Sequence, residues 1–218
     1  MDAAQLAQSG IIFIVLLASL ALHEFAHAWV ADKRGDPLPR QQGRVTLDPF
    51  AHLDPIGSFL IPGLMIFAGP GIALFGWAKP VPISLPNPKT QRIDDILITL
   101  AGPGMNLLIA SVMALAIGLL EHPLPTLTER ALAPALLINL ALVLFNLLPI
   151  PPLDGSRVMR HLTGMSEVTY VRLANYAWIF LLVLINIPQF RHVMTLAIIK
   201  LSLPFFWLAE NTAGLVYG

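Results

Sequence analysis

Six long apolar segments, separated by shorter polar ones, set the pattern of this chain. They cover residues 10–31, 56–76, 93–120, 131–149, 171–187 and 193–208. A helix of about 20 residues crosses the hydrocarbon core of a bilayer, and most of these segments approach that length. The second segment is interrupted by prolines and glycines, and this composition predicts a broken or re-entrant element.

The pattern predicts an all-α membrane protein that crosses the bilayer several times. We expect about five to six transmembrane helices, with the second element broken or re-entrant. A single integral membrane domain is expected over residues 1–218, with a core at about 10–160 and C-terminal helices at about 170–209.

The composition supports this prediction. Hydrophobic residues make up 56% of the chain and charged residues 12%, whereas soluble domains carry about 25% charged residues. A typical soluble enzyme and a disordered protein are therefore excluded, and the lipid bilayer is the expected surrounding. The 13 basic and 13 acidic residues balance, so no nucleic-acid partner is indicated. The absence of cysteine excludes thiol catalysis, cysteine-bound zinc and disulfides.

The distribution of Lys and Arg predicts the topology, because cytoplasmic connections carry the excess of positive charge. If the second segment makes no net crossing, residues 32–55, 77–92 and 151–172 are all cytoplasmic. The N-terminal tail, 121–130 and 188–192 are then external. Ten Lys and Arg residues lie in the first group of connections and two in the second.

The first apolar segment ends in the sequence His23-Glu24-Phe25-Ala26-His27. Positions i and i+4 share one face of a helix, so both imidazoles can bind one metal ion. Glu24 lies beside them and can accept a proton from a metal-activated water molecule. Ionisable groups within a membrane span are costly and are usually functional.

A catalytic zinc ion usually has three protein ligands and one open position. Asp154 is the leading candidate for the third ligand, because it follows the fourth apolar segment in a proline-rich stretch. It could instead be an ordinary turn residue, since Asp-Gly is a common turn pair. His27 and Asp154 can share an ion only if the second segment makes no net crossing. The charge distribution requires the same topology.

Two asparagines lie at a similar depth in other apolar segments. Asn106 is in the third segment and Asn146 is near the end of the fourth. Each could donate a hydrogen bond to a substrate carbonyl or to a developing oxyanion. Each could equally bond a neighbouring helix, which is a common use of Asn in membranes.

These motifs together resemble the site-2 protease family of intramembrane zinc metalloproteases. The resemblance rests on three sequences, which are HEFAH from His23, AGPGMN ending at Asn106, and NLLPIPPLDG from Asn146 to Gly155. The sequences GRVTLDP from Gly43 and GWAKPVP from Gly76 are similar to the compact prokaryotic branch of that family.

The resemblance implies one Zn²⁺ per chain, held by His23, His27 and Asp154. It implies that Glu24 is the catalytic acid and base, with supporting catalytic roles for Asn106 and Asn146. The implied activity is hydrolysis of peptide bonds in or near transmembrane segments of other membrane proteins, as in regulated intramembrane proteolysis. The implied location is a prokaryotic cell membrane, with the active site near the cytoplasmic side.

Two other functions are compatible with the residues. A membrane zinc transporter could use the same ligands, although transporters often contain two broken helices in symmetric repeats. A catalytically silent scaffold could bind other helices, although it would not need Glu24. No feature of the sequence defines an oligomeric state.

Several loop residues carry more local expectations. Residues 44–47 and 81–84 have the composition of strands and predict a small membrane-associated β-hairpin. Its free edge could bind an unwound substrate, or the hairpin could serve only to close the floor of the cavity. His52 and Asp54 are expected to be polar loop residues that cap the next element. Asp94 and Asp95 are expected to cap the start of the third long helix.

Overall fold

The computed structural model describes residues 2–68 and 76–218. The first apolar segment forms helix α1, Ala3–Lys33. The helix begins at Asp2, whose carboxylate accepts a hydrogen bond from the N–H of Gln5, while the Gln5 side chain accepts one from the N–H of Asp2. This reciprocal pair satisfies two N–H groups near the helix start. At 1.5 Å per residue, α1 is about 45 Å long and exceeds the thickness of the hydrocarbon core.

Helices also make up most of the remaining described chain. In chain order they are α2 (Leu38–Gln41), α3 (Ile61–Ala68), α4 (Gln91–Leu120), α5 (Pro125–Leu127), α6 (Ala133–Asn146), α7 (Asp154–Thr163), α8 (Glu167–Asn186) and α9 (Pro188–Tyr217). A 3₁₀-helix covers Pro49–Ala51, and π-helices cover Pro55–Leu60 and Thr128–Leu132.

Five segments of the described chain are long and apolar enough to cross a membrane. They are Ala3–Lys33, Gln91–Leu120, Pro125–Asn146, Glu167–Asn186 and Pro188–Tyr217. A shorter apolar helix, Pro55–Phe67, corresponds to the interrupted second segment. The predicted all-α class and the number of long helices are therefore confirmed. Gly69, Pro70 and Gly71, which contribute to the predicted interruption, lie outside the described residues.

Helix α4 is the centre of the bundle and packs against α1, α6, α7 and α9. Three of its small or branched side chains form a buried core with α6 and α9. The core residues are Ala110, Ala114, Ile117, Leu136, Leu140 and Ala209. We call the end at which α1 and α6 finish and α4 begins the Lys33 end. There Arg34 Nε donates a 2.6 Å hydrogen bond to Asp94 Oδ1.

After the second apolar segment, the chain comes back to the end of the bundle at which that segment began. The N–H of Trp77 donates to the carbonyl of Gly57 at 3.1 Å, and the N–H of Lys79 donates to the carbonyl of His52 at 2.8 Å. Ser58 Oγ also donates to the carbonyl of Trp77 at 2.8 Å. The connection from Gly57 to Trp77 therefore makes no net crossing, as the distribution of positive charge requires.

The predicted β-hairpin does not form. No strand occurs within residues 2–68 or 76–218. Four prolines between residues 80 and 88 remove N–H groups that a strand ladder needs. The N–H groups of Ser84 and Leu85 donate to the Asp36 carboxylate, at 2.6 and 3.2 Å, and so are already used. Residues 81–84 instead follow the bundle as an irregular segment.

Helices α8 and α9 differ from the predicted topology. Both ends of α8 lie at the Lys33 end, because the Tyr170 hydroxyl is 3.0 Å from Ser156 Oγ and Ile185 packs with Leu153. Phe190, at the start of α9, joins the same apolar cluster. The Tyr217 hydroxyl, at the other end of α9, donates to the carbonyl of Leu119. Residues 188–192 therefore lie at the Lys33 end and not at the opposite end.

Asp54 has the capping role expected from the sequence. Its Oδ1 accepts hydrogen bonds from the N–H groups of Ile56 and Gly57, at 3.0 and 2.7 Å. These two donors begin the π-helix Pro55–Leu60 and lack earlier helical partners. The carboxylate thus fixes the start of the second apolar element.

Candidate metal centre

The two histidines of the first motif lie on one buried face of α1. His23 is 4% exposed and His27 is 7% exposed. Their Nε2 atoms are 3.0 Å apart, as the i, i+4 spacing on a helix allows. The face that carries them packs against α4, which covers both rings.

Asp154 is brought to these imidazoles by the turn between α6 and α7. It is the first residue of α7, and its Oδ2 lies 3.1 Å from His23 Nε2 and 3.5 Å from His27 Nε2. A Cβ atom on the following Gly155 would overlap the carbonyls of Leu147 and Leu148. Only glycine therefore allows the start of α7 to pack this closely on the end of α6.

A hydrogen bond from each histidine Nδ1 fixes the orientation of its ring. His27 Nδ1 is 2.6 Å from the carbonyl oxygen of Ile98, and His23 Nδ1 is 2.5 Å from Asn106 Oδ1. A carbonyl oxygen only accepts, so His27 Nδ1 carries the proton and Nε2 is left with a lone pair. Metal-ligating histidines usually have such a partner on the other ring nitrogen.

The three side chains fit a tetrahedral metal ion. Ligand bonds of 2.0–2.1 Å at tetrahedral angles place ligand atoms about 3.3 Å apart, and the three observed separations are 3.0, 3.1 and 3.5 Å. Asp154 Oδ2 is buried and accepts no hydrogen bond from the described residues. Three converging acceptor atoms repel one another unless a cation lies between them. Within residues 2–68 and 76–218 they form the group of side chains that could hold a metal ion.

The centre opens into a cavity of about 350 Å³. Glu24 and Asn146, both predicted from the sequence, lie in its wall with the three metal-site residues. Asn146 Nδ2 donates to the carbonyl of Leu142 at 3.0 Å, which leaves its second N–H for another acceptor. The irregular segment 76–83 closes another side of the cavity. Space for a peptide therefore adjoins the metal-site residues.

The structure places Asn106 away from this cavity. The residue is fully buried; its Oδ1 faces His23, and its Nδ2 donates to Asn139 Oδ1 at 2.9 Å. Neither atom is directed to a substrate. Its contact with the metal centre is through the ring of His23.

A buried cation lies behind the cavity. Arg44 is 3% exposed, and its guanidinium donates to the carbonyls of Ala51 and Lys79. Burial lowers the pKa of Arg44, and the charge of Glu24 opposes this change. The two hydrogen bonds connect the loop before the π-helix to the segment that closes the cavity.

His52 is a buried residue of the loop that Arg44 also contacts. It is 0% exposed, and its Nε2 is 2.8 Å from the carbonyl of Thr46. Burial lowers the pKa of His52, which favours the neutral ring. The metal-binding group does not include it.

The expectation that both Asp94 and Asp95 cap α4 is wrong for Asp95, whereas Asp94 lies in the first turn of that helix and accepts from Thr90 Oγ1 at 2.6 Å. Thr90 occupies the N-cap of α4 and makes no side-chain capping bond. Asp95 Oδ2 instead accepts from Arg160 Nη2 at 2.9 Å and contacts His161 Nε2 at 2.6 Å. These bonds hold α7, which carries Asp154, against the start of α4. The sequence gives no signal of this pairing, because the partners are more than 60 residues apart.

Two further polar residues near the centre were not predicted. Asn139 on α6 is 0% exposed and Thr99 on α4 is 2% exposed. Thr99 lines the cavity, and its hydroxyl has no hydrogen-bond partner in the described part of the chain. A polar residue inside an apolar span is itself a signal of function or helix contact. Asn139 and Thr99 are both polar residues of this kind, so each could have been chosen as a candidate from the sequence.

Comparisons with known proteins define the class. A family model described as "Peptidase family M50" matches residues 124–186. The chain is 36% identical over 189 residues to a Bacillus subtilis (strain 168) protein named "Putative zinc metalloprotease YwhC", across 83% of this chain and 82% of the relative. It is 35% identical over 187 residues to "Putative zinc metalloprotease Rip2" of Mycobacterium tuberculosis (strain H37Rv), across 84% and 70% respectively. No solved structure matches significantly.

The chain belongs to peptidase family M50. It is a zinc-dependent metalloprotease of the membrane, and the resemblance to site-2 proteases is thereby confirmed. The family model covers Asn146 and Asp154 but not the histidine motif of α1. The structure brings these separate parts of the chain together at one cavity.

Proposed function

We propose that the chain is an intramembrane protease that cleaves peptide bonds within or next to a transmembrane segment of another membrane protein. The observation that carries the proposal is the convergence of His23, His27 and Asp154 beside Glu24 at a cavity between long apolar helices. We assign one zinc ion per chain to these three ligands. The domain that performs the reaction extends over residues 1–218.

When bound, zinc acidifies a water molecule and polarises a peptide carbonyl. Glu24 adjoins His23 in the sequence, and its carboxylate accepts the proton of the attacking water. It then returns that proton to the leaving amide nitrogen. The second N–H of Asn146 donates to the substrate carbonyl as negative charge develops on its oxygen.

The apolar part of the cavity wall supports a transmembrane substrate. Leu20, Leu142 and Phe145 line the cavity together with Val81 and Ile83. Peptide bonds in a helix are hydrogen-bonded and sterically covered, so a substrate helix must unwind before attack. Gly or Pro near the cut lowers the cost of unwinding.

The metal centre lies at the Lys33 end, which we assign to the cytoplasmic side. Every Lys and Arg from Lys33 to Arg191, except Arg130, lies in a segment at this end once residues 188–192 are placed there. Positive charge is enriched on the cytoplasmic side of membrane proteins. The two named relatives are bacterial, which supports a bacterial cell membrane as the location.

Coexpression with doubly tagged single-span proteins tests the proposal. One substrate carries Gly and Pro at the middle of its transmembrane segment, and the matched substrate carries only Leu there. The wild-type chain should cleave the first substrate faster. Glu24→Gln should reduce cleavage at least about 100-fold while the purified protein keeps its zinc. Glu210→Gln, an exposed position on α9, serves as the matched acidic control.

Two outcomes would contradict the proposal. If the protein cleaves a soluble tagged peptide but neither membrane substrate, its substrates are soluble polypeptides and not transmembrane segments. Loss of zinc from Glu24→Gln, to the extent seen in a His23→Ala, His27→Ala double variant, would make Glu24 a ligand and not the base.

A further inference from the structure

A buried chain of hydrogen bonds runs from the metal centre into the core of the bundle. It starts at His23 Nδ1, which is 2.5 Å from Asn106 Oδ1. Asn106 Nδ2 donates to Asn139 Oδ1 at 2.9 Å. Asn139 Nδ2 donates to Ser19 Oγ at 2.9 Å and to the carbonyl of Ala135 at 2.8 Å. The chain crosses α1, α4 and α6, and its members are 0–7% exposed.

We propose that Asn139 is a positioning residue that sets the tautomer of His23 through Asn106, and that the carbonyl of Ala135 fixes the direction of the whole chain. The inference rests on the assignment of His23 as a metal ligand.

The direction follows from which atoms can donate. The Ala135 carbonyl can only accept, so it must face the amide nitrogen of Asn139. The oxygen of Asn139 then faces Asn106 and can only accept from the nitrogen of Asn106. The oxygen of Asn106 is therefore directed to His23, where it accepts from Nδ1–H.

This tautomer is the one that binding at Nε2 requires. A neutral imidazole carries its proton on one nitrogen and a lone pair on the other. If the Asn106 amide were reversed, its N–H would face Nδ1 and the proton of His23 would move to Nε2, which could not then bind the metal. His27 needs no such chain, because Ile98 supplies a carbonyl directly to its Nδ1 at 2.6 Å.

The chain also explains a polar residue in an apolar core. Asn139 lies between Leu136 and Leu140, which are both 0% exposed. A buried amide is costly unless its donors and acceptor are satisfied. Both N–H groups and the oxygen of Asn139 have partners. If this position served only for packing, the protein would be more stable with Leu there than with Asn.

The full-length chain in detergent tests this inference through its zinc affinity, measured by competition with a chromogenic chelator. Asn139→Leu should weaken zinc binding about 10- to 100-fold, the usual effect of removing a group that orients a ligand. When Co²⁺ replaces zinc, the Asn139→Leu protein should also show a weaker visible absorption band than the wild type. Asn186→Leu is the control, because Asn186 makes the same kind of bond to the carbonyl four residues earlier, Leu182, at an exposed site.

A second substitution separates positioning from packing. Asn106→Asp places an acceptor next to His23 Nδ1 whichever way the side chain turns. In the Asn139→Leu background it should recover most of the lost zinc affinity. In the wild-type background it should weaken binding, since its outer oxygen would face the oxygen of Asn139. A defect of packing alone would not change sign between the two backgrounds.

The outcomes are distinguishable from failure of the ligand assignment. If His23→Ala keeps full zinc affinity, the assignment of the ligand fails. If His23→Ala loses zinc while Asn139→Leu binds it as the wild type does, only the positioning role is overturned. The same conclusion follows if Asn106→Asp fails to restore affinity in the Asn139→Leu protein. If that protein does not fold, Asn139→Val is measured with the same criteria.

Discussion

A Cβ atom added to Gly102 would lie 2.5 Å from Nε2 of His23, and it would also overlap Nε2 of His27. The missing side chain of this one residue on α4 therefore leaves the space in which the two imidazoles meet. Real Cβ atoms are almost never found so close to a neighbouring atom. The proposed metal centre therefore requires a residue without a side chain at this position.

Gly102→Ala is expected to abolish zinc binding while the protein stays folded. The added methyl group must displace both rings, because the backbone of α4 and that of α1 are closely packed. Gly104→Ala is the control, since nothing lies within 4 Å of a Cβ atom at Gly104. Metal analysis of the two purified proteins checks the prediction. Equal zinc content in both would contradict it.

Asp154→Ala is expected to reduce the zinc content and to stop cleavage. The substitution removes the only carboxylate oxygen of the metal-binding group defined in the described part of the chain. Asp48→Ala and Asp54→Ala should keep their zinc, because each of these carboxylates accepts from nearby backbone N–H groups. Asp54→Ala should only lower the free energy of unfolding, by about 1 kcal/mol. Full zinc content in Asp154→Ala would place the third ligand elsewhere.

Asp95→Asn is expected to loosen the attachment of α7 to α4. The carboxylate is 2% exposed and accepts from Arg160 while contacting His161. Removing one partner of a buried ion pair costs about 3 kcal/mol or more. Because α7 begins at Asp154, we also expect weaker zinc binding. Chemical unfolding and chelator competition measure the two effects, and an unchanged unfolding free energy would exclude this role.

Asp36 gives the chain a dependence on acidic pH. Burial disfavours the charge of Asp36, but hydrogen bonds from Ser84, Leu38 and Leu85 hold its pKa below the usual 3.8. The stabilisation is therefore complete above pH 3.8 and is lost as the pH falls through the lower folded value. The temperature of thermal unfolding of the wild type should therefore decrease as the pH falls from 3.8 through the folded pKa of Asp36.

Asp36→Asn serves as the comparison for this pH effect. It lacks the titrating group, so it should be less stable than the wild type at neutral pH. The difference between the two proteins should decrease as the pH falls below about 4. A difference that does not change with pH would show that the charge of Asp36 contributes nothing.

The cysteine-free chain allows the topology to be tested by single-cysteine labelling. Cysteines at Lys33, Lys89, Arg160 and Gln189 should react with an impermeant reagent only from the cytoplasmic side. Cysteines at Asp2 and His122 should react only from outside. Labelling of position 189 from outside would support the external placement of residues 188–192 that the distribution of Lys and Arg predicts, and it would contradict the packing of Phe190 near Leu153.

The sequence was sufficient where the chemistry depends on local spacing. His23 and His27 are four residues apart on a helix, and Asp154 begins the element that follows an apolar span, so their convergence required only a consistent topology. The return of the chain at Trp77 to the level of Gly57 was predicted both from the positive charges and from the need for His27 and Asp154 to meet.

The rest depended on contacts between distant parts of the chain. In the sequence, Asn139 is a single polar residue in an apolar helix. Only the packing of the helices shows that its partner is Asn106. Strand composition at 81–84 was misleading because Asp36 captures the N–H groups that a strand would need. Hydropathy gives the length of α8 but not the level at which its two ends lie.

The placement of α9 determines the end of the bundle at which a polypeptide fused to the C-terminus would lie. Tyr217 bonds to Leu119 at the end opposite Lys33, and Gln8 near the start of α1 donates to the carbonyl of Arg130 at that same end. Both termini of the chain therefore lie at the end opposite the cavity that His23, His27 and Asp154 line. Affinity tags, reporter proteins or surface tethers fused at either terminus would leave the Lys33 end, and the cavity there, unobstructed.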